Sequence, residues 1–199
     1  MAIFRPTMGS GGSNFFGICE INILNFKDRS EEFDWADVFL DVTVQQKGSE
    51  YTRNIKLAGS FDKDANGDIT GGSVLKRMYT FFEAIGCSAG LNVDGKWEDE
   101  KGEEISDIVD YLSIFRSNPI PGEDIDNYPY IAYFYKEQPK KPGGKAYTTV
   151  WPKVYKSNDE NKVKLKKDID WLKGKGYLKE LTDAESNAPA MNEGGLANL

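Results

Sequence analysis

Between Ala36 and Gln45 the chain alternates with a period of two. Val38, Leu40, Val42 and Val44 fall on one side, and Phe39, Asp41, Thr43 and Gln45 on the other. A helix would scatter those four aliphatic residues around its circumference. An extended strand places them on one face, so this run predicts a strand lying against a core. Gly17 to Phe26 has a similar but weaker pattern, with Ile18, Glu20, Asn22 and Leu24 set against Cys19, Ile21, Ile23 and Asn25. Lys47-Gly48-Ser49-Glu50 is a turn, and Tyr51 to Leu57 is the returning strand, with Arg53 and Lys56 among its polar positions. The first third of the chain therefore predicts a three-stranded meander.

The period changes at Ser73. Val74, Leu75, Met78, Phe81, Phe82 and Ile85 recur at helical spacing, with Ser73 available as a cap and Gly86 as a stop. Residues 88–127 form an acidic, turn-rich insertion in which Glu104 to Phe115 predicts a short helix on Ile105, Ile108, Val109, Leu112 and Phe115. Two aromatic, strand-forming runs follow, residues 128–136 and 146–155, joined by a lysine, proline and glycine loop. They predict a long hairpin. Asp159 to Leu172 closes the order with a lysine-crowded helix on Val163, Leu165, Ile169 and Leu172, so that 159–173 makes a C-terminal helix. The expected organisation is a flexible arm over 1–14, one domain over 15–180 and a disordered tail over 181–199. Three strands, a helix and two strands is the order of a five-stranded OB-type barrel. The expected class is mainly β (α+β), with an inserted acidic excursion and a C-terminal helix.

Composition narrows the chemistry. The 199 residues include no histidine, so Ser-His-Asp and Cys-His catalysis and histidine-ligated zinc are ruled out. No nucleotide-binding glycine motif, nucleophile elbow or CxxC pair is present. The expectation is a protein that is not an enzyme and needs no cofactor. Cys19 and Cys87 read as reduced, buried thiols. Gly9-Ser10-Gly11-Gly12-Ser13 stands where a signal peptide would carry its apolar core, and no run approaches a membrane span. A cytoplasmic protein without a membrane partner is expected.

A formal charge of −7 argues at first against a nucleic-acid partner. Its distribution argues the other way. Residues 1–127 carry 12 basic and 23 acidic side chains, a net of −11. Residues 128–180 carry 13 lysines and 6 acids, a net of +7, and residues 181–199 add three acids. Such asymmetry points to a polyanion partner for the positive segment.

That segment also holds the aromatic hairpin. Alternation sets Tyr133 and Tyr135 on one face with Ile131, and Tyr147, Trp151, Lys153 and Tyr155 on the matching face of the partner strand. Rings on which bases stack, interleaved with cations for phosphates, are what a single-stranded nucleic acid requires. The candidate stacking residues are Tyr133, Tyr135, Tyr147, Trp151 and Tyr155. The candidate phosphate contacts are Lys136, Lys140, Lys141, Lys145 and Lys153, joined by Arg53 and Lys56 of the meander. The competing reading is that these rings pack beneath the C-terminal helix or the acidic insertion.

Asp62-Lys-Asp64-Ala-Asn66-Gly67-Asp68-Ile-Thr70 matches the first nine places of an EF-hand loop, which makes Asp62, Asp64, Asn66 and Asp68 a weak calcium candidate. Position 12, where a bidentate acid belongs, is Ser73, and a strand precedes the loop where a helix should stand. An Asp/Asn/Gly-rich turn is the better reading, with no metal.

Taken together, the meander around Phe39-Leu-Asp-Val-Thr-Val44, the helix Leu75-Lys-Arg-Met-Tyr-Thr-Phe-Phe-Glu-Ala-Ile85-Gly and the late Lys145-Ala-Tyr-Thr-Thr-Val-Trp-Pro-Lys-Val154 strand give a layout that resembles phage-encoded single-stranded DNA-binding proteins with an OB-type core. The resemblance spans roughly residues 17–180. It implies a sequence-nonspecific coat on exposed strands during phage replication or recombination, without catalysis, in the cytoplasm of an infected host cell. Single-stranded DNA and phage replication or recombination proteins would be the partners. The tail Asn192-Glu-Gly-Gly-Leu-Ala-Asn-Leu199 lacks the dense acidic run with which such proteins often recruit those partners. The alternative is a non-enzymatic phage structural or partner-binding protein that uses the aromatic hairpin as a protein interface.

Overall fold

The structure, a computed structural model, describes residues 16–49, 52–116, 129–139, 144 and 146–181. The expected arm, the lysines Lys140, Lys141 and Lys145, and the expected tail beyond Leu181 lie outside the described residues.

The meander forms as the alternation requires. Strand β1 (Gly17–Asp28) pairs antiparallel with β2 (Val38–Gln46), and β2 with β3 (Thr52–Gly59). In register, Leu40 faces Leu57 and Val42 faces Ile55. The weaker pattern of β1 has a local cause. The β1–β2 register shifts between Ile23 and Asn25, so Leu24 is a bulge and Phe26 returns to the buried side while Asn25 stays in water. A regular strand would have driven Asn25 into the core.

Chain reversals between β3 and the second helix use one device three times. Asp64, Asn92 and Asp99 each begin a five-residue loop, and each side-chain oxygen accepts the backbone N–H groups two and four residues on. Gly67, Gly95 and Gly102 occupy the fourth place with φ of +92°, +83° and +79°, where an L side chain would be strained. The first loop joins β4 (Asp62–Lys63) to β5 (Ile69–Gly71). Helix α1 (Ser73–Ile85) follows, ended by Gly86 in the left-handed region. Gly72, and not Ser73, occupies its cap position, and no side chain caps it. The second loop joins β6 (Gly90–Leu91) to β7 (Trp97–Glu98), and the third returns the chain to a bridge between Glu98 and Glu104. Helix α2 covers only Ile108–Ser113, shorter than its sequence pattern, because Asp107 caps it by accepting from Val109 and Asp110 N–H.

Strand β8 (Tyr130–Glu137) then pairs with β1, with Ile21 opposite Tyr130 and Gly17 opposite Phe134. Its other side pairs with β9 (Tyr147–Val150) and β10 (Tyr155–Lys156). These two are one strand interrupted at Pro152, which has no N–H to give the ladder. The sheet order is β10–β8–β1–β2–β3, with β9 also on β8. Among the described residues no ladder joins β3 to β9 or β10, so the sheet is not closed. The fold is mainly β with few helices, an α+β architecture.

One face of the sheet buries Ile21, Ile23, Leu40, Val42, Val44, Ile55, Leu57, Ala132 and Phe134 against Val74, Met78, Phe81 and Phe82 of α1. The opposite face is covered at Phe39 and Asp41 of β2 by Arg29 and Phe33, and near β8 by a helix. There α3 (Asp159–Gly174), capped by Asn158, lays Leu165 and Ile169 on Ile131, Tyr133, Tyr135 and Tyr155. Val163, expected on the apolar stripe, is instead 56% exposed.

Candidate nucleic-acid interface

The pleat of β8 sets which of its rings share a face, and the docking of α3 sets their environment. Tyr133 and Tyr135 share a face and stack on each other, with centroids 5.9 Å apart and planes at 25°. That face is the one α3 covers, and Tyr133, Tyr135 and Tyr155 are each only 7% exposed. As folded, these three rings have no free face for a base. Here the sequence expectation is corrected: the alternation placed the rings on one face, and an amphipathic helix occupies that face first.

Polar groups lock this layer. Lys153 and the Tyr155 hydroxyl both donate to Asp168 of α3, at 2.6 and 2.8 Å. The Tyr133 hydroxyl donates to Glu180, which also pairs with Lys173, and the Lys173 ammonium lies 5.1 Å from the Tyr133 ring centre. Burial raises the Tyr133 and Tyr155 hydroxyls above the ordinary tyrosine range, and burial together with Glu137 and Glu180 pushes Tyr135 up to about 12. Burial alone would raise the Asp168 carboxyl, but the Lys153 and Tyr155 hydrogen bonds outweigh it and hold it low. Lys153 is therefore engaged in an internal ion pair, not held out toward phosphate.

The remaining expected contacts scatter. Tyr147 is 70% exposed, and Trp151 is half-buried against the edge of the α3 layer. Lys136 is the penultimate residue of β8, where its carbonyl accepts from Leu181 N–H at 2.8 Å. Arg53 and Lys56 sit on β3 at the far edge of the sheet, with Lys56 opposite Asp41. The Asp62–Asp68 loop is a turn: Asp64 spends a carboxylate oxygen on two backbone amides. Among the described residues no group of three or more potential metal ligands converges.

The structure adds groups that the sequence reading passed over. Two grooves flank α3. One, of about 560 Å³, lies over β1 and is lined by Ile18, Glu20, Ile131, Lys162, Val163 and Lys166. The other, of about 340 Å³, lies between α1 and α3, with Lys153, Lys156, Asn161 and Lys164 facing Thr80, Glu83 and Ala84. Lys156, Lys164, Lys166, Lys167 and Lys175 form no ion pair with a described residue. In the turn between β1 and β2, the Arg29 guanidinium lies 5.0 Å from the Phe33 ring and 5.4 Å from that of Phe39. Trp35, 58% exposed, stands 6.0 Å from both rings. The spacing Phe33-x-Trp35 beside an arginine was the available signal, but no strand or helix period marks it.

The chain matches no protein-family model, no curated protein and no solved structure.

Proposed function

We propose that the protein binds single-stranded DNA without strong sequence preference and without catalysis. The sheet would be an OB-type barrel left open between β3 and β9. The strand order supports this, because β1 sits between β2 and β8 while α1 connects the third long strand to the fourth. The observation that carries the binding reading is the lysine-lined pair of grooves beside α3. Lys156, Lys164 and Lys166 are exposed there and form no direct ion pair with a described residue, although Glu20 and Glu83 also line the grooves and Lys164 lies near Asp168, so a polyanion can still neutralise them. Of the 32 acids, 23 lie in residues 1–127, and Glu20 and Glu83 are the two of these that line the grooves, Glu20 already paired with Lys47.

In this reading the stacking surfaces are drawn from the rings left in water, Tyr147 and Trp35 among them, with the accessible part of half-buried Trp151, and not from the covered tyrosines of β8. Coating of exposed strands in phage replication or recombination follows from the resemblance in layout. The test is a titration with oligo-dT followed by tryptophan fluorescence. Neutralising ~4 phosphates lowers affinity about 100-fold between ~50 and ~300 mM salt. Absence of binding, or binding indifferent to salt, overturns the proposal.

A further inference from the structure

Helix α3 is amphipathic, and its buried stripe of Leu165, Ile169 and Leu172 accounts for its docking on the sheet. Its outward side would be expected to carry only charged and polar residues. It instead carries Trp171, 57% exposed, with Lys167 and Lys175 one helical turn before and after it. Tyr177, 66% exposed, lies against Trp171, with ring centres 5.7 Å apart and planes inclined at 53°.

This ring pair is not a loose end. The helix stops at Gly174, Gly176 takes a φ of +68°, and Tyr177 N–H returns to the Leu172 carbonyl at 3.0 Å. The next residue, Leu178, is 5% exposed in the layer beneath α3. Glu180 is held by Tyr133 and Lys173, while Lys179 and Leu181 exchange backbone hydrogen bonds with Gln138 and Lys136. Residues on both sides of Tyr177 are therefore anchored, and the ring itself is held out in water beside Trp171. Leaving two large rings half in water forgoes apolar burial that a short loop could have supplied. Lys167 and Lys175, which flank them, form no ion pair with a described residue.

We infer that Trp171 and Tyr177 form a preorganised stacking site for an unpaired base, with Lys167 and Lys175 placed for the adjoining phosphates. Charge complementarity selects the occupant: rings offered together with unneutralised cations suit a single-stranded polynucleotide. The inference rests on the DNA-binding reading and locates its principal base contact on the helix, away from the sheet.

The experiment measures oligo-dT affinity for the full chain and for Trp171→Ala, Tyr177→Ala, Trp171→Phe and Lys167→Ala. Base stacking is worth ~1–3 kcal/mol, so each ring-to-alanine change should weaken binding about 5- to 150-fold. Trp171→Phe should keep most of the affinity and lose most of the fluorescence quench. Lys167→Ala should reduce the salt slope by about 0.7, one phosphate's share on a single strand. If the unaltered protein binds oligo-dT and both alanine variants bind within about twofold of it, the inference fails and the DNA-binding reading stands. If the alanine variants leave DNA affinity intact but change sedimentation, the rings are a protein contact and the inference again fails. If the unaltered protein does not bind at all, both fall together.

Discussion

Lys153 Nζ lies 2.6 Å from Asp168 Oδ2, and this pair ties the edge of the sheet to the middle of α3. The Tyr155 hydroxyl reaches the same oxygen at 2.8 Å, so one carboxylate satisfies a cation and a phenol in a half-buried setting. The contact explains why a helix of such high charge lies on a row of tyrosines.

Asp168→Ala leaves Lys153 and Tyr155 without their acceptor, and should cost about 1–3 kcal/mol in urea unfolding. Asp168→Asn, which keeps an oxygen for Tyr155, should cost less. The depressed Asp168 carboxyl makes its own contribution pH-dependent. That contribution is present above the ordinary aspartate value of ~3.9 and is lost as pH falls below it through the folded value. Stability profiles of the alanine variant and the unaltered chain should therefore converge in acid. Parallel curves down to the lowest pH would contradict the pairing.

The two tyrosines at either end of the exposure range should separate cleanly. Tyr135, 7% exposed, is part of the layer under α3, and Tyr135→Ala should cost about 3–5 kcal/mol. Tyr147, 70% exposed, should tolerate alanine within ~0.5 kcal/mol while weakening oligo-dT binding. An unchanged urea midpoint for Tyr135→Ala would mean that α3 does not cover it.

Alkaline titration should expose the buried phenols as a group. Tyr130, Tyr133, Tyr135 and Tyr155 all ionise above the ordinary tyrosine value, chiefly because burial penalises the phenolate. A raised folded pKa favours the neutral form, so its stabilisation is complete below ~10 and is lost as pH rises toward about 12, where Tyr135 titrates. Tyrosinate absorbance should show these four phenols ionising only above the ordinary tyrosine value, together with loss of structure. A single transition near ~10 with the fold intact would be inconsistent with the buried layer.

The repeated turns predict a response to mutation but none to calcium. Asp64→Ala removes an acceptor for two backbone amides and should cost about 1 kcal/mol. Gly95→Ala should cost at least as much, since φ is +83° and the new Cβ would sit 3.4 Å from Ile69 Cδ1. Millimolar calcium should leave the melting temperature unchanged. A rise of several degrees would show a cation held by the carboxylates and revise the loop's role.

The strands and helices were largely legible because their signals are local. Alternation in β2 and helical spacing in α1 depend only on which neighbours a side chain shares a face with. The bulge at Leu24 was not legible, because it arises from register against β2 and leaves no mark of its own in the sequence. Neither was the break between β9 and β10 placed, although Pro152 supplied its cause. The candidate site fared worse. The residues sharing a face with Tyr133 were assigned correctly, but whether that face met water or a helix depended on where α3 docked.

By itself the sequence determined the periodicity of each element, the absence of histidine chemistry and the concentration of lysine in residues 128–180. Each of these is a property of neighbours along the chain. Tertiary structure alone decided which aromatic residues remain in water. Leu165 and Ile169 find more apolar area on Ile131, Tyr133 and Tyr155 than solvent offers, and so they cover the tyrosines of β8. The same docking turns Trp171 outward, opposite the stripe that binds the sheet. A helical period places two residues on opposite sides of one helix, but only packing against the sheet determines which of those sides becomes surface.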